Sequence, residues 1–319
     1  TTEIYTLSLH DALPIYGWAP ATYRRAPSSV GLLLSGVVTG LAAFSAWKFF
    51  ALVLRGGTSL APVSGVFSFS QALFGLGALT LILGALAMLA EKDGKRLLAF
   101  STISAMGLVL MAISLGNPRA VRAALFLIFA HALGKGLLFF VAGIATARTR
   151  RSQWGSWSGL GQASPSLVWF WFIGAATVIG LPLFPGFWGK LSFVGGALEM
   201  GLWGRTGVAL LVVATVVESV ALLRVGHALW ERADVGETSG DVGATSGVEP
   251  AARFSGGASY WAGALALGAT ILWMGLWPSM FTRAFTSTQT AYAGQTTSSV
   301  ARISSDAFAP RRGGQKQDR

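Results

Sequence analysis

The chain has 319 residues, of which 53% are hydrophobic and only 12% charged, with a formal net charge of +11 and no cysteine. Soluble domains carry about 25% charged residues, so the composition is that of a polytopic helical membrane protein. The missing cysteines exclude disulfides, thiolate metal sites, thiolate-held iron–sulfur clusters and cysteine catalysis from this chain. The positive charge does not read as nucleic-acid binding, because the basic residues sit in short clusters at the ends of apolar runs, the pattern of loops at an anionic membrane surface.

Residues 1–15 are mixed in character and too polar to span, and they lack the basic region and apolar core of a signal peptide. The first apolar run, 30–54, is long enough to cross about 30 Å of hydrocarbon, with Lys48 placed to snorkel. No charge occurs between Arg55 and Glu91, and 64–90 reads as the second span. The turn 91–96 is densely charged and reads as a solvated, orienting loop rather than a binding patch. A third span, 97–116, ends at the Asn117-Pro118-Arg119 turn. The fourth, 121–147, carries His131 and Lys135 and is closed by Arg148, Arg150 and Arg151.

The next crossing is interrupted. Residues 152–189 hold no formal charge, yet Gly180, Pro182, Pro185 and Gly186 fall inside the apolar run, directly before Lys190. A proline removes one helical hydrogen bond and clashes with the preceding turn, and in lipid the carbonyls so released need polar partners. The expectation is a helix broken into halves 166–183 and 187–203, with the break at Pro182, Pro185 and Gly186, and with the apolar stretch 184–188 limiting leakage. Broken helices at membrane depth line hydrated, protein-enclosed cavities, so Lys190 is a candidate ion or proton site. The alternative is a lysine that snorkels to the interface at a helix start.

The sixth span, 206–230, holds Glu218 and Arg224. A polar linker, 231–259, precedes a seventh crossing at 260–280 and a polar tail at 282–319 read as disordered. The fold expected is all-α and polytopic, with about seven crossings and a membrane domain over 16–281. With a cytoplasmic start, Arg24, Arg25, Lys92, Lys95, Arg96, Arg148, Arg150, Arg151, Arg232 and Arg253 lie inside. Lys48, Arg55, Arg119, Arg122, Arg205 and Arg283 lie outside, which is the positive-inside arrangement.

His131 and Lys135 are four residues apart, so on a helix they share a face with Cβ atoms about 5–6 Å apart. Two cations in hydrocarbon cannot both stay charged cheaply, and the pair reads as holding one proton and relaying it. The alternative is a hydrogen-bonded core histidine beside a snorkelling lysine. Glu218, near mid-span, needs a partner to remain ionised; Lys190 or Lys135 on a neighbouring helix is the natural choice, with Arg224 the alternative. Glu199 lies nearer a span end and reads as interfacial. Tryptophans such as Trp154, Trp157, Trp169, Trp171 and Trp261 fit interfacial belts and core packing. No phosphate loop or metal-ligand spacing occurs, and the residues offer no hydrolytic or redox chemistry of their own.

Five ordered motifs carry a resemblance. They are Trp18-Ala19-Pro20, then Ala26-Pro27-Ser28-Ser29-Val30, and Lys92-Asp93-Gly94-Lys95-Arg96 with Leu97-Leu98-Ala99-Phe100-Ser101-Thr102-Ile103-Ser104. His131-Ala132-Leu133-Gly134-Lys135-Gly136-Leu137-Leu138-Phe139 and Gly180-Leu181-Pro182 through Gly186-Phe187-Trp188-Gly189-Lys190 complete the set. In this order they resemble the antiporter-like, proton-conducting membrane subunits of respiratory NADH:quinone oxidoreductase (complex I), of Mrp-type sodium/proton antiporters and of energy-converting membrane hydrogenases. The likeness covers about residues 16–280.

The resemblance implies inverted five-helix repeats, each with a broken helix, and protons moving along buried lysines, histidines and a glutamate. It puts His131 and Lys135 on the central relay helix and Lys190 on the broken helix leading to the outer exit; Glu218 joins the candidate proton path on its mid-span position alone. It also implies partner membrane subunits, a lipid bilayer, a multi-pass place in a bacterial inner membrane, and no cofactor in this chain. Flavin, iron–sulfur or quinone sites would belong to partners. The chain departs from the pattern at Tyr16, where the family has a histidine, at Leu127, where it has a second histidine, and at Gly40 or Ser35, where it usually has a lysine or histidine. No first repeat precedes Trp18, so the chain resembles the C-terminal half of such a subunit. Proton translocation within a redox-driven complex is the implied function. The alternatives are an Mrp-type antiporter subunit, with Na+ as a coupling ion, and a membrane scaffold whose buried charges only orient helices.

Overall fold

A computed structural model of the protein describes residues 19–55, 69–232 and 258–280. The 1–15 segment, the 231–259 linker between Arg232 and Ala258, and the 282–319 tail therefore lie outside the described residues, while Ala258 and Ser259 begin a helix rather than ending the linker. Every regular element among them is helical, apart from one isolated bridge between Asp93 and Gln153. In chain order they are α1 (Ala19–Arg25), α2 (Ser28–Leu33), a π turn (Leu34–Val38), α3 (Thr39–Arg55), α4 (Phe69–Ala90), α5 (Gly94–Ser114) and α6 (Pro118–Thr149). A 3-10 turn (Trp154–Trp157) follows, then α7 (Leu160–Ala163), α8 (Pro165–Ile179), α9 (Pro185–Leu198), α10 (Gly201–Trp230) and α11 (Ala258–Leu276).

Among the described residues, five stretches are long and apolar enough to cross a membrane: Ser28–Phe49, Phe69–Ala90, Gly94–Ser114, Pro118–Thr149 and Gly201–Trp230. With the broken pair α8/α9 and the shorter α11, these make the seven crossings read from the sequence. Boundaries around the break move. Its first half ends at Ile179, not 183, its second half runs from Pro185 to Leu198 rather than over 187–203, and α10 begins at Gly201 rather than 206, because Gly201 turns the chain at φ +67°.

Helix starts follow local chemistry. Asp93 caps α5 by accepting the amides of Lys95 and Arg96, each at 3.0 Å, and Asn117 caps α6 through Ala120 N at 2.7 Å with Pro118 in the first turn. Helix α6 then runs for 32 residues, about 48 Å at 1.5 Å per residue, and packs against α2, α5, α8, α9 and α11. Helix α5 is as enclosed: 89% of its apolar window is buried. Its contact with α4 is close because a Cβ at Gly107 would overlap the Leu81 backbone, so only glycine admits that approach. Conversely α10 leaves Val212, Val213, Val216, Val220 and Leu223 exposed, a stripe too large and apolar for water and suited to lipid.

The loops gather at two ends. Arg24 pairs with Asp93 at 3.8 Å, Asp93 bridges to Gln153, and Gly159 N donates to Glu231 O, so the basic clusters of one sign of loop share an end. Asn117 Nδ2 donates to Gly196 O and Arg119 pairs with Glu199 at 3.2 Å at the opposite end. Cysteines introduced at Lys92 and Arg151 should be labelled by an impermeant maleimide from the cytoplasmic side, and one at Met200 should not; reversal at all three would overturn the orientation. Gly94 is unsuitable for such a probe, since a Cβ there would strike the Trp157 ring.

Candidate functional site

The break is built at Gly180. Helix α8 ends there with Gly180 in the left-handed region (φ +82°), followed by Leu183 at φ +74°, and α9 restarts on Pro185. Ending a helix orphans its last carbonyls. That of Ala176 is taken by the amides of Gly180 and Leu181, both at 2.9 Å, and that of Ile179 by Lys190 Nζ at 2.9 Å. The carbonyl that holds the lysine is thus released by the glycine turn, not by Pro182 or Pro185 as the sequence suggests. Pro182 lies in the connecting loop, and Pro185 serves as the first residue of α9. Gly186 is fixed by close approach: a Cβ would overlap the Thr177 carbonyl, so the two half-helices meet backbone to backbone.

Lys190 does not snorkel. Its ammonium is held at the negative end of the α8 dipole, donates to Thr215 Oγ1 at 2.9 Å, and stands 3.8 Å from Glu218 Oε2; the two side chains are 14% and 5% exposed. Glu218 therefore pairs with Lys190 among the partners considered. Arg224 instead donates to Leu89 O at 3.3 Å and lies over the Trp154 ring at 5.3 Å, which also gives Trp154 a packing role more specific than an interfacial belt.

Lys190, Glu218 and His131 line one enclosed cavity of about 30 Å³ between α4, α5, α6, α8, α9 and α10, together with Thr177 and Thr215. That is room for about two waters. Both ring nitrogens of His131 are buried without a protein partner among the described residues, and the cavity is the place from which water would supply one. The apolar part of the wall comes from Leu81, Val109, Leu127 and Leu211; of the stretch 184–188 only Gly186 reaches the cavity, so the expected 184–188 seal is not what encloses it.

Lys135 departs from expectation in direction. It is fully buried one turn from His131, as the spacing requires, but its ammonium reaches the Leu98 carbonyl on α5 and does not line the cavity. His131 and Lys135 share a face at their Cβ atoms and diverge at their tips. The structure thus brings together His131, Lys190 and Glu218, and sets Lys135 on a separate polar contact. Sequence reading missed Thr215, although it lies one turn before Glu218 on α10 and could be found by that i, i+3 spacing. It also missed Thr102 on α5.

The arrangement is a buried cation–carboxylate pair with a hydroxyl donor, a neutral-capable imidazole and space for water. Such groups can take up, hold and hand on a proton; among the described residues no cluster suits a metal ion.

Comparison with known proteins agrees in fold and sequence. The chain is 30% identical over 212 residues to the NADH-quinone oxidoreductase subunit N of Desulforudis audaxviator, covering 66% of this chain and 41% of that protein. It is 27% identical over 217 residues to a Na(+)/H(+) antiporter subunit of Bacillus subtilis, covering 68% and 42%. Among solved structures, the membrane-bound sulfane sulfur reductase, an archaeal respiratory membrane complex, superposes with a TM-score of 0.69 at 27% identity over 86% of this chain and 51% of that one. The chain spans about two fifths of the length of the curated relatives it matches. The family model described as NADH:quinone oxidoreductase/Mrp antiporter, TM matches residues 10–219, which is more than half of the sequence, so the chain belongs to that family.

Proposed function

We propose that this chain forms a proton-conducting half of a membrane subunit in a multisubunit, redox-driven complex, working in a bacterial inner membrane beside partners that carry the redox groups. The observation that supports it most is the Lys190–Glu218 pair at the helix break, opening on a cavity shared with His131. A scaffold needs buried charges only to be matched, and would be better served by apolar packing. Here the lysine spends two donors on an orphan carbonyl and a hydroxyl while the carboxylate stays 3.8 Å away, a loose pairing suited to changing its proton content. Protons would pass between Lys135, His131, Glu218 and Lys190, the last of them leading to the outer exit.

Glu218→Gln provides the test. The carboxylate favours the charged form of Lys190, so without it the lysine should give up its proton at lower pH. Proton uptake by membrane vesicles carrying the full-length subunit in its complex should then show an optimum displaced toward acid by about one pH unit. An unaltered pH profile would sink the pair as part of the path. A second reading, an Mrp-type antiporter subunit, is favoured by the likeness to the Bacillus subtilis Na(+)/H(+) antiporter protein. Uptake that requires Na+ on the opposite side of the membrane would select it.

A further inference from the structure

The contacts of Lys135 lead to a second polar group, made with α5 and the π turn and outside the lining of the cavity. Its ammonium donates to the Leu98 carbonyl. Within α5 that oxygen already accepts the amide four residues on, which leaves one lone pair. The Thr102 hydroxyl also reaches it, at 3.1 Å. The same hydroxyl lies 2.9 Å from Ser35 Oγ, and either oxygen can be the donor. Ser35 stands in the π turn Leu34–Val38, and its own carbonyl is taken by the Thr39 hydroxyl. None of Ser35, Thr39, Thr102 and Lys135 is more than 2% exposed, so bulk water does not replace a partner that turns away.

We propose that Thr102 and Ser35 form a two-position hydroxyl switch that sets how firmly Lys135 holds its proton, which makes them positioning residues for the proton path; the inference rests on that proposed path. In one position Thr102 donates to Ser35 Oγ and leaves the last lone pair of Leu98 O to the ammonium. In the other Ser35 donates to Thr102, and Thr102 takes the carbonyl. The first suits charged Lys135. The second suits the neutral amine, which has one donor fewer to satisfy. Only hydroxyl rotation separates the two, so the switch follows the proton without moving a helix.

The other charged or titratable groups near Lys135 are few. His131 lies on its own helix, and Glu218 on α10 is paired with Lys190 on α9 at the cavity. Lys95 on α5 is one turn before Leu98 and is held by Ala26 O at 3.1 Å. The facing residues of α2, the π turn, α8 and α11 include no acidic or basic side chain. None of these groups contacts Thr102 or Ser35 in the bonds just described, so removing either hydroxyl changes the Leu98 oxygen first.

The test is proton uptake against pH in vesicles that carry the full-length subunit with its native partners. Thr102→Val keeps the shape and removes the competing donor, so Lys135 keeps the carbonyl to itself and the alkaline limb should move up by about half to one pH unit. Ser35→Ala leaves Thr102 only the Leu98 oxygen, so the limb should move down by about as much. Thr102→Ser should retain the wild-type profile. Shifts of opposite sign support the switch; shifts of the same sign, or none, overturn it. If Thr102→Val does not assemble, Ser35→Ala decides alone, and an unshifted profile from it overturns the switch. Lys135→Met, run in parallel, separates the two levels: wild-type uptake from that variant would remove Lys135 from the path. Lost uptake there, with unshifted Ser35→Ala and Thr102→Val profiles, would sink the switch and leave the path standing.

Discussion

Lys190→Ala is expected to abolish most proton uptake by the assembled complex, by at least about tenfold, while leaving the protein in the membrane. The substitution removes the group that links three features of the break. These are the orphan Ile179 carbonyl, the Thr215 hydroxyl and the Glu218 carboxylate. It also leaves Glu218, only 4% exposed, without its cationic partner, which is costly for a buried carboxylate. One change therefore deletes a proton carrier and strands its neighbour. Uptake measured across a pH series, with the quantity of assembled protein measured by immunoblot, checks it. Wild-type uptake at any pH would leave Lys190 with a purely structural role at the break.

Lys135→Ala should lower uptake about as strongly, and Lys135→Arg should not rescue it. Arginine keeps the charge and can still donate to the Leu98 carbonyl, but it does not release its proton at any working pH. The pair of variants separates transport from packing. If the site needed only a buried cation to hold α5 against α6, arginine would restore function. If it needs a group that alternates between two states, arginine fails. Recovered uptake from Lys135→Arg would assign the residue to helix packing.

The spans were legible because hydrocarbon imposes a coarse rule, long charge-free runs, that does not depend on knowing the neighbours. The turns at 91–96 and 117–119 and the interruption around Gly180 were legible for a similar reason, being set by local chemistry. What stayed hidden was decided by contacts between helices. The spacing of His131 and Lys135 fixes their shared face but not their tips, which part because a carbonyl on α5 competes for the lysine. Glu218 could be assigned a cationic partner but not a single one, since Lys190, Lys135 and Arg224 differ only by packing. The π turn at Leu34–Val38 has no proline to announce it, and the hydroxyl of Ser35 meets Thr102 across 67 residues of sequence. The carbonyl that holds Lys190 was hidden as well, because prolines mark where a helix stops donating and not which acceptor a distant lysine will choose.

The central claim is that Lys135 and Lys190 belong to one proton path in series, although the structure gives them separate polar contacts. A double-mutant cycle on proton uptake tests this directly, using Lys135→Ala, Lys190→Ala and the combined variant in the full-length subunit within its complex. Steps in series predict that the combined variant loses no more than the worse single variant, because a path blocked once gains nothing from a second block. Losses that multiply across the two sites would show independent contributions and contradict the account.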